Sequence, residues 1–255
     1  MMKKIISFLG KIHRDFKQIG GYPVCDYGEN FSVNYDKHWK KFPDGRRPFN
    51  NWQKQRAEYA LEIIEPGASV LDVGCSNIAM LQYLQEQSGI KGIGVDIDPS
   101  ILKIAQDFGI KTVHVDITNV DFLLSLPVVD YVTAFEILEH MPVPEMFVVN
   151  ILKKAKKGLI FSVNNTGYYA HRLRLLFGRF PLQWVAHPGE HVRFWTARDM
   201  EFWINSLGFT MKKMVLYEGL PVLNKIFPKL FSQGMIVYVT DAQHTTPSTP
   251  TPSFQ

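Results

Sequence analysis

The sequence predicts an α/β domain. It would carry a doubly wound, mostly parallel seven-stranded sheet with an antiparallel C-terminal hairpin and a helical N-terminal cap. Three observations carry this expectation. Short β-branched runs alternate with helical stretches from about residue 68 to residue 163. A glycine turn follows the first of these runs. Near the C-terminus, two apolar runs follow each other with no convincing helix between them. Strands alternating with helices at this spacing imply right-handed βαβ units and a parallel sheet covered on both faces.

Ser69 to Val73 reads as the first strand and Ile78 to Gln87 as the helix after it. Gly92 to Asp96 is the second strand. Pro99 opens the next helix, where its missing N–H needs no partner. Lys111 to Val115, Val128 to Phe135 and Leu159 to Val163 give strands three to five. Ala197 to Leu207 reads as a helix ended by Gly208, a favoured C-terminal residue. Thr210 to Tyr217 and Met235 to Thr240 then form the hairpin. Residues 1–67 are expected to form a helical, aromatic-rich cap and residues 68–241 the main domain. Within the main domain, 165–190 is a cap insertion, and 242–255, rich in Thr, Pro and Ser, is a disordered tail.

A net charge of +4 is a mild basic bias, compatible with an anionic substrate and below the concentration of charge usual in nucleic-acid binders. The two cysteines, Cys25 and Cys75, form no CxxC pair. A disulfide framework and a structural zinc are therefore not expected, and the compartment reads as reducing and cytoplasmic. No apolar run reaches the roughly 18 residues of a membrane span. Ile5, Phe8, Leu9, Ile12, Phe16 and Ile19 recur at helical spacing, with Lys3, Lys4, Lys11, Arg14 and Lys17 on other faces. This helix is expected to pack its stripe on the domain, although a basic amphipathic helix can also lie on a membrane surface.

The chemistry concentrates in Val70-Leu71-Asp72-Val73-Gly74-Cys75-Ser76 and Gly94-Val95-Asp96-Ile97-Asp98-Pro99. The first run places a tight turn between strand and helix, where backbone can approach a ligand closely. The second ends the neighbouring strand with a carboxylate, Asp96, suited to the two hydroxyls of a ribose. A dinucleotide site would want G-x-G-x-x-G so that a pyrophosphate sits on the helix N-terminus. Here Gly74 stands alone. Asp72 would repel a pyrophosphate, whereas it suits the cationic end of a methionine moiety.

These two runs, together with Phe135-Glu136-Ile137-Leu138-Glu139-His140-Met141 and His191-Val192-Arg193-Phe194-Trp195-Thr196, resemble class I S-adenosylmethionine (SAM) dependent methyltransferases, which have a Rossmann-like fold. Residues 68 to 240 are most similar to the MetW-like group (methyltransferase types 11 and 23). The long N-terminal extension departs from that group, so its role in methionine biosynthesis is not carried over. The resemblance implies SAM as cofactor and S-adenosylhomocysteine as product. Asp72, Gly74 and Cys75 would meet the methionine part, Asp96 and Ile97 the ribose and adenine, and Asp116 and Ile117 the adenine. Phe135 would line the floor near the methyl, and Tyr35 would close the site from above. Relatives carry further glycines where this chain has Ser76 and Ile78. Ile78, being β-branched, is expected to sit already inside the helix.

A hydroxyl acceptor needs a base, and His140 and His191 are the candidates, with Glu136 as a further catalytic carboxylate. Each histidine is equally readable as a hydrogen-bonded structural residue. Glu136, Glu139 and His140 form E-x-x-E-H, to which His191 could add a fourth ligand; the set is similar to the metal site of small-RNA 2′-O-methyltransferases and, in part, of ubiquinone-biosynthesis O-methyltransferases. The same run is common in relatives with no metal implied, so none is expected here. Arg172, Arg174 and Arg179 could meet a phosphate or simply be solvated beside a leucine face. The expected activity is methyl transfer to a small polar acceptor, at oxygen, on a sugar, phosphorylated or nucleotide-linked metabolite. The alternatives are a non-catalytic binding partner on the same fold and an RNA 2′-O-methyltransferase.

Overall fold

The computed structural model describes residues 2–22, 25, 49–76, 78–107, 109–183 and 187–241. Tyr35 and the 242–255 tail lie outside the described residues. Seven strands form one sheet: β1 (Ser69–Val73), β2 (Lys91–Asp96), β3 (Lys111–His114), β4 (Val129–Phe135), β5 (Ala155–Asn164), β6 (Phe209–Tyr217) and β7 (Gly234–Asp241). Their order is β3-β2-β1-β4-β5-β7-β6. Strands β1 to β5 pair in parallel, and β7 is antiparallel to both β5 and β6. The hairpin is therefore not simply added to the edge in chain order: its second strand is inserted beside β5, leaving β6 outermost. Two short helical turns, Leu223–Ile226 and Pro228–Phe231, interrupt the connection that the sequence left without a helix.

Alternation along each strand sorts side chains onto two faces. Leu71 and Val73 of β1, with Leu159, Phe161 and Val163 of β5, join one apolar cluster. Val70 and Ile160, on the opposite pleats, join the other. The first cluster is covered by α5 (Val120–Ser125), α6 (Pro144–Ile151) and α8 (Ala197–Ser206), through Leu123, Phe147, Ile151, Met200 and Trp203. The second is covered by α2 (Asn51–Leu61), α3 (Ala79–Ser88) and α4 (Pro99–Asp107), through Ala57, Ala60, Leu81, Leu84 and Ala105. With both faces covered, the central strands carry near-continuous apolar runs, as parallel strands do. The winding reverses between β1 and β4. In an open α/β sheet the ligand crevice opens at such a switch point, outside the carboxyl ends of the strands.

The N-terminal helix α1 (Met2–Gly20) packs against α7 (Tyr169–Leu176), but not as the predicted single stripe. Ile19 is buried, whereas Leu9 and Phe16 are 59% and 65% exposed. Polar pairing turned the helix. Asp15 is fully buried, accepting hydrogen bonds from Tyr168 Oη at 2.6 Å, Tyr169 Oη at 2.8 Å and Lys11 Nζ at 2.6 Å. A buried carboxylate is tolerated when its acceptor positions are filled in this way, so the face carrying Asp15 docks. Arg174, fully buried, donates through Nη1 to the carbonyls of Gln18, Ile19 and Gly21, and Arg179 donates to Gly20 O. These arginines satisfy the terminal carbonyls of α1 and sit at the negative end of its dipole.

Candidate active site

The site grows from the carboxyl ends of β1 and β2, beside the switch point between β1 and β4. After β1 the chain turns at Gly74, whose φ is +69°. A Cβ there would stand 2.1 Å from Ile137 Cδ1, so the segment after β4 fills the space that glycine leaves. The Gly74 and Cys75 amides donate to Val95 O at 2.8 and 3.1 Å, which ties the turn to β2. Asp96, at the end of β2, accepts from the Ser76 amide at 3.0 Å and from the Asp98 amide at 3.1 Å. The turn and the acid are thus in direct contact. Burial raises the pKa of Asp96, against the lowering effect of those backbone donors.

Asp72 lies on β1 in register with Gly94 of β2 and Thr133 of β4. Its carboxylate is 3% exposed and accepts from Thr133 Oγ1 at 2.7 Å. Burial pushes it up to about 7; the Thr133 hydrogen bond lowers it, and the charge of Asp96 raises it. The pair with Thr133 was missed in the sequence, where a hydroxyl between Val132 and Ala134 was its only trace.

The turn departs from expectation at its second half. Ser76 has φ +50° and Ile78 φ +55°, ψ −3°. Ile78 is not inside α3; it stands immediately before it in a left-handed conformation that a β-branched residue rarely adopts. Ile78 is 1% exposed within the second apolar cluster, and that packing offsets a strain of about 1–3 kcal/mol.

The other candidates divide. The Cys75 thiol is 4% exposed and packs behind the turn, against the Gly94 backbone, so only its main chain faces the turn. Burial raises its pKa far out of range of ionisation. Ile97 is 60% exposed beyond β2. Asp116 accepts from both the amide and the hydroxyl of Thr118, at 2.9 and 2.7 Å, and these bonds lower its pKa. Ile117 packs on the first cluster and Phe135 on the second, both half-buried.

Beyond β4 a short 3-10 turn, Leu138–His140, carries the histidine. The amides of Val192 and Arg193 both donate to Glu139 O, at 2.8 and 3.2 Å, and pin the 190s segment across it. The His140 and His191 rings thereby meet edge to face, 4.6 Å between centroids. His140 Nδ1 bonds Glu190 O; a carbonyl only accepts, so Nδ1 carries the hydrogen and Nε2 is the basic nitrogen. Burial lowers the pKa of His140. Burial and then the neighbouring His140 bring His191 down to about 4. Glu139 is 1% exposed, with no hydrogen-bond partner for either carboxylate oxygen among the described residues. Burial and then the nearby Glu136 raise its pKa. Donor atoms of Glu139, His140 and His191 lie within 4.8 Å of one another.

Glu136, with φ +56°, accepts from Ser162 Oγ at 2.8 Å and lies 3.6 Å from Arg56 Nη1 of α2. Its own amide donates to Ser162 O at 3.0 Å. Arg56 and Ser162 gave no signal in the sequence, because they meet Glu136 only across the fold. The arginine cluster splits. Arg174 and Arg179 serve α1, while Arg172 lines a cleft of about 470 Å³ with Thr196, Ala197, Arg198 and Lys229, a lining with three cations and no acid.

A family model described as a methyltransferase domain matches residues 45–213. The chain belongs to this methyltransferase family. A ubiquinone biosynthesis O-methyltransferase of Xanthomonas axonopodis pv. citri (strain 306) is 26% identical to the methyltransferase over 203 residues, 74% of this chain and 83% of its own. Among solved structures, a SAM-dependent methyltransferase from Archaeoglobus fulgidus aligns with TM-score 0.58 and 20% identity, over 82% of this chain and all of that one. The N-methyltransferase NodS from Bradyrhizobium japonicum WM9, in complex with S-adenosyl-L-homocysteine, aligns with TM-score 0.52 and 14% identity, over 82% of this chain and all of that one. Fold and family together make the methyltransferase a member of class I, the SAM-dependent class. This class is broader than the MetW-like group suggested by the sequence.

Proposed function

We propose that this methyltransferase O-methylates a small polar acceptor, with the His140–His191 pair beside the acceptor hydroxyl. The observation that carries this reading is the pinning of that pair by Glu139 O, on a segment whose Ile137 is packed into the Gly74 turn. When bound, SAM supplies an electrophilic methyl on a sulfonium. The residues fit it: a buried carboxylate at Asp72, its pKa raised to about 7, is suited to a cationic partner, and a fixed carboxylate at Asp96 borders a turn that has no room for a Cβ.

In this reading Asp72 with the Gly74–Cys75 backbone holds the methionine end, Asp96 and Ile97 the ribose side, and Asp116 and Ile117 the adenine. Phe135 forms the floor of the site, and the closing role is assigned to Tyr35, outside the described residues, on the family resemblance alone. His140 Nε2 takes the hydroxyl proton, worth about 10² to 10⁴ in rate. Its Nδ1 bond to Glu190 O fixes ring and tautomer. His191 abuts it and keeps water out, and Glu136 acts through Arg56 and Ser162 to hold the segment in place. The division into a cap (1–67), a catalytic domain (68–241) and a tail belongs to the same proposal, as does a cytoplasmic setting. Among the described residues, no helix is long and apolar enough to cross a membrane.

The acceptor class we infer is a phosphorylated or nucleotide-linked sugar or related metabolite. Its support is the cleft lined by Arg172, Arg198 and Lys229, where a planar guanidinium can take a phosphate in two-pronged fashion. The relatives named for ubiquinone biosynthesis support oxygen as the methylated atom. The test is transfer of labelled methyl from SAM to a panel of sugar phosphates and nucleotide sugars, with His140→Ala as the control. Absence of S-adenosylhomocysteine binding by calorimetry would instead favour a non-catalytic partner.

A second reading rests on Glu139, His140 and His191. Orphaned buried carboxylate oxygens beside an orphaned His191 Nδ1 fit a divalent cation with oxygen and imidazole ligands, such as magnesium or manganese. There it would lower the pKa of an acceptor hydroxyl. Methyl transfer that survives exhaustive chelation would remove this reading.

A further inference from the structure

We propose that the outward face of α1 is a docking surface for an anionic lipid bilayer. The proposal stands apart from the reading of the active site, and α1 precedes the residues that the family model matches. Ile6, Leu9, His13 and Phe16 follow each other at spacings of three and four, which places them in one stripe along a helix. The three apolar members are 63%, 59% and 65% exposed, and His13 between them is exposed too. Arg14 and Lys17 are exposed on its flank.

What makes the face specific is the fate of its acid. Asp15 is the only carboxylate in α1, and it is fully buried against Tyr168 and Tyr169. The exposed side of the helix therefore presents apolar and positively charged side chains with no negative charge among them. The docked face is fastened by that polar cluster, and Arg174 and Arg179 hold the helix C-terminus. The stripe is thus presented by the folded protein and needs no detachment of the helix. Just past the helix end, the Tyr22 ring lies over the guanidinium groups of Arg174 and Arg179, at 5.0 and 5.4 Å, and so reinforces the docked side.

This composition complements an anionic bilayer: the apolar side chains reach the acyl boundary while Arg14 and Lys17 meet headgroup phosphates. A second copy fits less well, because pairing two such faces would oppose like charges. Three apolar side chains and a few cations give weak, reversible, salt-sensitive attachment rather than permanent anchoring.

The test is sedimentation of the full chain with phosphatidylcholine vesicles, with and without phosphatidylglycerol. The protein should pellet with the anionic vesicles only and be released by high salt. The double variant Leu9→Asp/Phe16→Asp should lose binding while its circular dichroism and melting stay those of the parent, since both positions are exposed. Arg14→Glu/Lys17→Glu should weaken binding by about tenfold or more. Phe202→Asp, on an exposed apolar residue of α8, should change nothing. The proposal is overturned by absence of pelleting with anionic vesicles, by equal binding to neutral ones, or by binding that Leu9→Asp/Phe16→Asp leaves intact. It is also overturned if light scattering finds a dimer that Phe16→Asp dissociates in a protein that binds no vesicles, since the face would then belong to a second copy.

Discussion

Ile137 Cδ1 occupies the place where a side chain at Gly74 would begin, 2.1 Å from the ideal Cβ position. The turn after β1 and the segment after β4 are therefore one packed unit, and a change in either is felt by both. Gly74→Ala adds that overlap to the cost of an L-residue at φ +69°, about 1 kcal/mol by itself. Affinity for S-adenosylhomocysteine should fall by about tenfold or more in titration calorimetry. Adding Ile137→Ala should restore part of it by reopening the space. Wild-type affinity in Gly74→Ala alone would mean that the turn does not face the cofactor.

Ser76 and Ile78 both hold left-handed backbone, but their side chains differ in what they contribute. Ser76 is half-buried and Ile78 is fully packed. Ser76→Gly removes strain and little else, so thermal unfolding should occur at the same or a higher temperature, by up to about 1 kcal/mol of stability. Ile78→Gly relieves similar strain but deletes a buried side chain, which costs more, about 2–5 kcal/mol. Opposite signs in the two melting curves are expected.

In the proposed function, Asp72 couples cofactor binding to protons. Its pKa of about 7 in the free protein means that a large fraction is protonated at neutral pH. A cation arriving beside it favours the carboxylate and lowers that pKa, so binding should release up to about half a proton near pH 7 and none well above it. Calorimetry at pH 7 in two buffers of different ionisation enthalpy measures this directly. Asp72→Asn should abolish the buffer dependence, and a buffer-independent heat in the wild type would remove Asp72 from the site.

His171 and His191 are both held near pKa 4, in each case chiefly by burial. The unfolded chain takes up these protons near 6.5 while the folded chain resists until about 4, so stability is lost as pH falls between those values. The slope approaches about 1.4 kcal/mol per pH unit for each histidine. Urea unfolding followed from pH 7 to pH 4 should show it, and His171→Asn should make the decline shallower. Because the pKa of His140 is also lowered, activity should hold at mildly acidic pH and fail only in stronger acid.

The strands and the two-faced sheet were legible in the residues alone. Alternating β-branched runs leave a parallel sheet as the economical way to bury Val70, Leu71 and Val73 on both sides. A lone glycine followed 22 residues later by Asp96 marks where the first two strands end. These are local signals, written in periodicity and turn chemistry. Tertiary structure alone decided that β7 enters between β5 and β6, that Ile78 stays outside its helix, and that Asp15 turns inward and Leu9 outward. It also decided that Glu136 meets Arg56 and that His140 meets His191. Each of these depends on contacts between residues far apart in the chain. Burial there sets the cost of leaving a charge or a polar group unpaired, and no pattern within one segment records the partner that relieves it.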